Sequence, residues 1–287
     1  MSLRTRRAEA MYQTSRPAVV AHLQRLDRQP QATFGLEAWK TRIERTRLRN
    51  ARQPDAFFDD LYVLDRCIDF LMAYARVWRL IGLSEFTTSW DALQDALNLL
   101  RLIKRFSAID ISFFENQLTE LEHAYPYSVF FSIGAVVARF ECSLCGEDMD
   151  SLACPHRKGH LYRGKMAQAV AKSMVELDHV SMVEKPQDKR CVVSYENTGP
   201  QFSIVRMIGQ LVTSGRLQIS RFEHLAFSKR KFLNPEYVSL GRNDRCYCGS
   251  GTKFKRCCAG KAYEEREHVD IVASPSPLCR DTLNSKP

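Results

Sequence analysis

Apolar side chains recur at intervals of three and four residues through residues 56–82, which is the period of one face of an α-helix. Gly82 follows the last of them and predicts the end of this helix. A second amphipathic stretch begins at a predicted cap, Thr88 or Ser89, and continues to residue 106, and a third covers residues 111–125. Helices with such faces must pack against one another. The pattern therefore predicts a helical bundle between about residues 55 and 135.

The pattern changes after the bundle. Partial alternation at Val175 and Leu177 and the run 180–183 predict short strands, and a mixed helix and strand segment is expected from about residue 201 to 232. Residues 261–270 are charged and are expected to form a short helix, followed by a disordered tail. The predicted fold class is α+β.

Charge is concentrated at the N-terminus of this 287-residue chain, whose formal net charge is +9. Before Pro54, twelve lysines and arginines stand against four aspartates and glutamates. Such an arm suits nucleic acid, an acidic protein surface or anionic lipid, because counterion release favours any basic patch that meets a polyanion. A solvated tail is the equally weighted alternative.

Two features bear on location. The longest apolar run, residues 129–138, is about half of what a membrane span requires, and the first ten residues lack the apolar segment of a secretory signal. We therefore expect no membrane span and a cytoplasmic protein. Cytoplasmic cysteines are normally kept reduced, so clusters among the ten cysteines point to metal binding or catalysis before disulfides.

The first cysteine cluster lies at residues 142–156. Cys142 and Cys145 form a C-x2-C pair, and Cys154 with His156 forms C-x-H after eight intervening residues. Two short pairs of soft ligands can close a tetrahedron around zinc and leave no open coordination position. His160 is a rival fourth ligand, and His156 is favoured because Pro155 stiffens its approach.

The second cluster lies at residues 246–258. Cys246 and Cys248 form C-x-C, eight residues intervene, and Cys257 and Cys258 are adjacent. Gly249 permits a sharp turn that brings the first pair back toward the second. Four thiolates again predict a closed, structural zinc site, which gives two zinc ions per chain.

The stretch GRNDRCYCGSGTKFKRCCAG, residues 241–260, closely resembles the SEC-C motif, which is named for the C-terminal zinc tail of the SecA translocation ATPase. The resemblance implies zinc binding and recognition, since the SecA tail engages a chaperone and the ribosome, and it suggests a bacterial protein. The chain has no Walker A loop or helicase motif, so it is not that ATPase. Aromatic and basic residues of the motif form the expected partner-binding surface, namely Tyr247, Lys253, Phe254, Lys255 and Arg256.

These observations predict five segments: a basic arm (1–54), a helical domain (55–138), a zinc-stapled α/β segment (139–238), the zinc module (239–262) and a tail (263–287). The favoured function is a zinc-binding adaptor whose SEC-C module docks a protein or ribonucleoprotein. The first alternative is a nucleic-acid-binding protein that uses the arm and the zinc modules.

An enzyme with an unrecognised site is the second alternative, and it has no catalytic motif behind it. Asp178, His179 and Ser181, or His179 with Cys191, are residue types that nucleophilic catalysis uses. They are better interpreted as ordinary strand and loop residues, because no nucleophile elbow accompanies them.

Overall fold

The computed structural model describes residues 5–8, 10–14, 21, 25–26, 35–233, 239–261 and 263–273. Contacts divide the chain into two compact units, of which the second is Glu223–Ala273. Much of the basic arm and the predicted tail after residue 273 lie outside the described residues.

Within residues 35–222 of the first unit, which are all described, the α-helices are α1 (Glu37–Arg49), α2 (Asp55–Gly82), α3 (Phe86–Phe106), α4 (Ser112–His123) and α5 (Ser203–Thr213). The three helices predicted between residues 55 and 125 are confirmed as α2, α3 and α4, and α2 ends at Gly82 as expected. The predicted cap of α3 is wrong. The helix begins at Phe86, and the Ser89 hydroxyl lies inside it, where it donates to the Phe86 carbonyl at 2.7 Å.

Aromatic and aliphatic side chains form the core of the helical part. Trp78 and Trp90 are almost completely buried, and Trp78 meets Phe222 edge to face with ring centroids 6.1 Å apart. The buried Gln117 amide donates to the carbonyls of Ile219 and Phe222, each at 2.7 Å. These two hydrogen bonds tie α4 to the turn before Phe222.

Three two-stranded antiparallel sheets complete the described fold, which confirms the α+β class. Strand β1 (Phe130–Cys142) pairs with β4 (Ala169–Val183), and β2 (Leu161–Tyr162) pairs with β3 (Lys165–Met166). Strand β5 (Phe222–Leu233) pairs with β6 (Tyr263–Ala273). Residues 130–138, expected within the helical domain, thus begin a long strand.

The helix predicted for residues 261–270 is wrong, because most of that segment belongs to β6. Cross-strand contacts hold it against β5. Arg230 Nη2 lies 2.6 Å from Asp270 Oδ2, and the Ser228 hydroxyl donates to the His268 carbonyl at 3.5 Å. Pairing with a distant strand overrides local helix preference here.

Among the described residues, no helix combines the length and the apolar character that crossing a bilayer would demand.

Candidate metal centres

The central cluster begins where β1 ends. Cys142 is the last residue of that strand and is buried. The chain then turns back on itself: the Gly146 amide donates to the Cys142 carbonyl at 2.9 Å, and Gly146 adopts φ +76°, which favours glycine. The Leu144 amide donates to the Cys142 sulfur at 3.4 Å. This turn carries Cys145 to the same side as Cys142.

A second loop brings the other two ligands. Cys154 Sγ lies 3.7 Å from Cys145 Sγ, and the His156 ring stands edge-on against Tyr162, with centroids 4.6 Å apart. One donor atom from each of Cys142, Cys145, Cys154 and His156 lies within 4.8 Å of the others. His160, the rival ligand, is not a member of this group.

The donor set fits a tetrahedral metal. Zinc–sulfur bonds of about 2.3 Å place two thiolates about 3.8 Å apart in a regular tetrahedron, close to the separation of the Cys145 and Cys154 sulfurs. The Nδ1 atom of His156 is buried, and it has no hydrogen-bond partner among the described residues. A buried ring nitrogen without a partner costs free energy, and a metal ion bonded to Nδ1 would offset that cost.

The two strands after this cluster dock on the helical part of the same unit. Arg163 and Gly164 connect β2 to β3 with φ +50° and +73°, as a two-residue hairpin turn requires. The Gly164 amide donates to Asp59 Oδ1 at 2.8 Å. Arg163 contacts Asp55 Oδ1 at 2.8 Å and lies over the Phe58 ring. The central cluster is therefore attached to the first turns of α2.

Changing Gly164 to alanine tests this attachment. A Cβ at Gly164 would lie 2.5 Å from the Phe58 carbonyl oxygen, and the positive φ adds strain. We expect a loss of about 3 kcal/mol in the free energy of unfolding, measured by denaturant titration. Gly215 is the matched control, since it has φ +71° but open space around its Cβ position, and Gly215→Ala should cost only about 1 kcal/mol. Equal losses in both variants would contradict the docking contact.

The C-terminal cluster is built on a tight loop. The Cys246 amide donates to the Thr252 carbonyl at 2.8 Å, and the Gly249 amide donates to the Cys246 carbonyl at 3.3 Å. Gly249 and Gly251 take φ +75° and +70°. This loop folds Cys248 over the adjacent pair, so that its sulfur lies 3.4 Å from that of Cys257.

The four sulfurs of Cys246, Cys248, Cys257 and Cys258 lie within 4.8 Å of one another. Hydrogen bonding by Ser250 lowers the pKa of Cys248 to about 6 and also lowers that of Cys257, whose sulfur lies 3.2 Å from the Ser250 hydroxyl. Neighbouring thiols, Cys246 above all, raise the pKa of Cys258 to about 12. Sequence reasoning assigned Ser250 no role, although it stands in the Gly-Ser-Gly of the motif.

A miniature core supports this cluster. Cys246 and Phe254 are buried, and Leu240, Cys257, Cys258 and Ala259 pack against them. Phe254 is only 6% exposed, which corrects the expectation that its ring contributes to a partner-binding surface. Tyr247, in contrast, is 66% exposed, and Lys253, Lys255 and Arg256 are exposed as well.

The residues considered for catalysis lie on the β1–β4 pair or next to it. Asp178 and His179 form a hydrogen bond of 2.9 Å on the exposed surface of β4, and Ser181 is opposite Ser132 on the same strand pair. Cys191 is exposed, and its carbonyl accepts a hydrogen bond from the Phe131 amide at 2.8 Å. A cavity of about 450 Å³ lies beside the central cluster and is lined in part by Phe140, Met149 and His156, and none of the four catalytic candidates lines it.

Comparison with known proteins agrees with the C-terminal geometry. No solved structure matches the chain. Residues 242–260 match the family model described as the SEC-C motif, and this segment contains Cys246, Cys248, Cys257 and Cys258. The expected resemblance is thereby confirmed. The protein therefore carries a SEC-C motif, whose four cysteines form one cluster that could hold a metal ion.

Proposed function

We propose that the protein is a zinc-binding adaptor with two structural zinc sites, whose SEC-C module docks a protein or ribonucleoprotein. The observation that carries the metal assignment is the convergence of two complete four-ligand sets, each within 4.8 Å: three cysteines with one histidine at the central site, and four cysteines at the C-terminal site. Thiolate and imidazole sets of this kind select zinc, and four protein ligands are typical of structural sites. Bound zinc would supply the folding free energy that such short loops lack.

The docking surface is proposed on the exposed side of the C-terminal module. Tyr247, Lys253, Lys255 and Arg256 are exposed, and Tyr247 is the one exposed large apolar side chain among the described residues 239–261. An exposed tyrosine among cations suits a partner with acidic groups, either carboxylates of a protein or phosphates of RNA.

A photo-reactive phenylalanine analogue at Tyr247 tests this surface. Irradiation in cells of the source organism is expected to give a crosslinked product of defined mass, whose second component is identified by mass spectrometry. Leu152 is the control position, because it is fully exposed but lies outside the C-terminal module. Crosslinks of the same mass and yield from both positions would count against docking by the SEC-C module.

A second candidate function is nucleic-acid binding by α1. Arg42, Arg45 and Arg49 are exposed and spaced by three and four residues, so they lie on one face, while Ile43 is buried. Neighbouring cations are already paired: Lys40 with Asp65 and Asp69, and Arg47 with Glu44.

Changing Arg42, Arg45 and Arg49 together to glutamine tests this second candidate. Fluorescence anisotropy with a single-stranded RNA should show binding that weakens steeply between about 50 and 200 mM salt. In the triple variant, the slope against the logarithm of salt concentration should fall by about 2 to 3. Arg216 and Arg221 lie outside this face and serve as the control pair. No binding by the wild type at physiological salt would exclude this function.

A further inference from the structure

The ribbon formed by β1 and β4 has one face that is apolar throughout its middle. Directly opposed residues place their side chains on the same face of a sheet. The pairs Phe131–Met182, Ile133–Val180 and Ala135–Leu177 alternate along β1, and Met174 opposite Val137 continues the series. The bulged register leaves Asp178 and Val175 without opposed partners on β1, so the alternation along β1 is not interrupted. We call this set the apolar ribbon face.

The opposite face of the same ribbon is different. Its pairs are Ser132–Ser181, Gly134–His179 and Val136–Glu176. The ribbon is thus amphipathic, as a sheet is when only one of its faces is covered.

Nothing among the described residues covers the apolar ribbon face. Ile133, Val180 and Leu177 are 58–63% exposed, and Met174 and Met182 are 69% and 74% exposed. A two-stranded ribbon is marginally stable in water unless something packs on its apolar side. Adjacent large apolar side chains in one exposed patch are also rare on soluble monomers.

We propose that a second copy of this chain covers the apolar ribbon face, so that two ribbons pack face to face about a two-fold axis. A contact about a two-fold axis brings the same patch of both copies together, so the patch must be complementary to itself. The apolar ribbon face meets this requirement because its central pairs are apolar on both strands.

Charge and area agree with this occupant. The cations at one end of the ribbon, Arg139 and Lys172, both pair with Glu141 of the same ribbon, so their charge is partly offset within each copy. The five large apolar side chains at this exposure present roughly 500 Å² on each copy. The pair then buries on the order of 1,000 Å², the lower bound for a specific interface.

The first test uses the unmodified, metal-loaded chain. Sedimentation equilibrium is expected to show a reversible monomer–dimer transition in the micromolar range, as an interface of this small area suggests. Hydroxyl-radical footprinting across the same concentrations should show Met174 and Met182 oxidised at least about threefold less in the dimer. Met149, outside the ribbon, is the internal reference and should not change. A monomer at all concentrations, or a dimer in which Met174 and Met182 remain as reactive as in the monomer, overturns the proposal.

The second test uses charge. The double variant Ile133→Lys and Leu177→Lys should weaken dimerisation by at least about 100-fold, because burying unpaired ammonium groups is costly. In the monomer both positions are exposed, so secondary structure and metal content should not change. Val136→Lys is the matched control: it lies on the opposite face, is 50% exposed, and should leave dimerisation intact. A dimer that survives the double variant, or that Val136→Lys disrupts equally, also overturns the proposal.

Discussion

Replacing Cys257 and Cys258 with serine is expected to lower the zinc content from two ions per chain to one and to unfold the C-terminal module. The reason is the size of the core beneath the cluster: among the described residues of the module, only Cys246 and Phe254 are buried. A core of two side chains cannot offset the conformational entropy of a loop of this length. Zinc binding supplies on the order of 10 kcal/mol in comparable small modules, and a serine hydroxyl does not replace a thiolate.

Native mass spectrometry together with metal analysis measures this outcome directly, and it also distinguishes zinc from iron. Limited proteolysis with trypsin reports the unfolding, because Lys253, Lys255 and Arg256 lie within the module and should become far more accessible to cleavage. The control is Cys191→Ser, since Cys191 is exposed and belongs to neither cluster. Two zinc ions in the double variant, or fewer than two in the wild type, would contradict the proposed sites.

Replacing His156 with alanine is expected to weaken zinc binding at the central cluster by more than about 100-fold while the C-terminal site remains loaded. Three cysteine ligands then remain, and the fourth coordination position of the metal is open to water. Loss of a direct ligand should exceed the 10- to 100-fold effect that is usual for groups that only orient a ligand. Since the loop of this cluster leads into β2 and β3, which dock on α2, thermal unfolding of the first unit should shift to a lower temperature.

His160→Ala is the matched control for this variant. His160 was the rival ligand, yet only His156 stands with the three thiols. Competition with a chromophoric chelator measures both affinities in otherwise identical chains. If His160→Ala loses zinc and His156→Ala retains it, the assignment of the fourth ligand is wrong.

The candidate metal centres could be predicted from the sequence because the ligands of each centre lie close together along the chain. Each set spans fewer than twenty residues, and a C-x2-C or C-x-C pair turns back through a glycine next to it. The spacing therefore grouped the seven cysteines that the structure brings together and left His156 and His160 as alternatives for the eighth ligand, with His156 favoured because of Pro155. The helices α2 to α4 could be predicted for a similar reason, since apolar residues recur at helical spacing over several turns of each helix.

Elements that depend on contacts between residues far apart in the chain could not be predicted from the sequence. Residues 263–273 carry the charge pattern of a helix but form β6, because β5 supplies a pairing strand thirty or more residues earlier. The Thr88 or Ser89 cap was misplaced because α3 begins earlier, where Thr87 contacts Asn197, a residue far along the chain.

By itself, the sequence determined the seven cysteines proposed as metal ligands, the amphipathic helices and the SEC-C motif, since each depends on residues a few positions apart. Tertiary structure alone decided that Phe254 is a core residue, that Gly164 lies against α2, and that β1 and β4 share one uncovered apolar face. These features depend on which distant segments meet. Which distant segments meet depends on the free energy of burying apolar surface and of pairing strands, summed over the whole fold. A local sequence pattern does not contain that information.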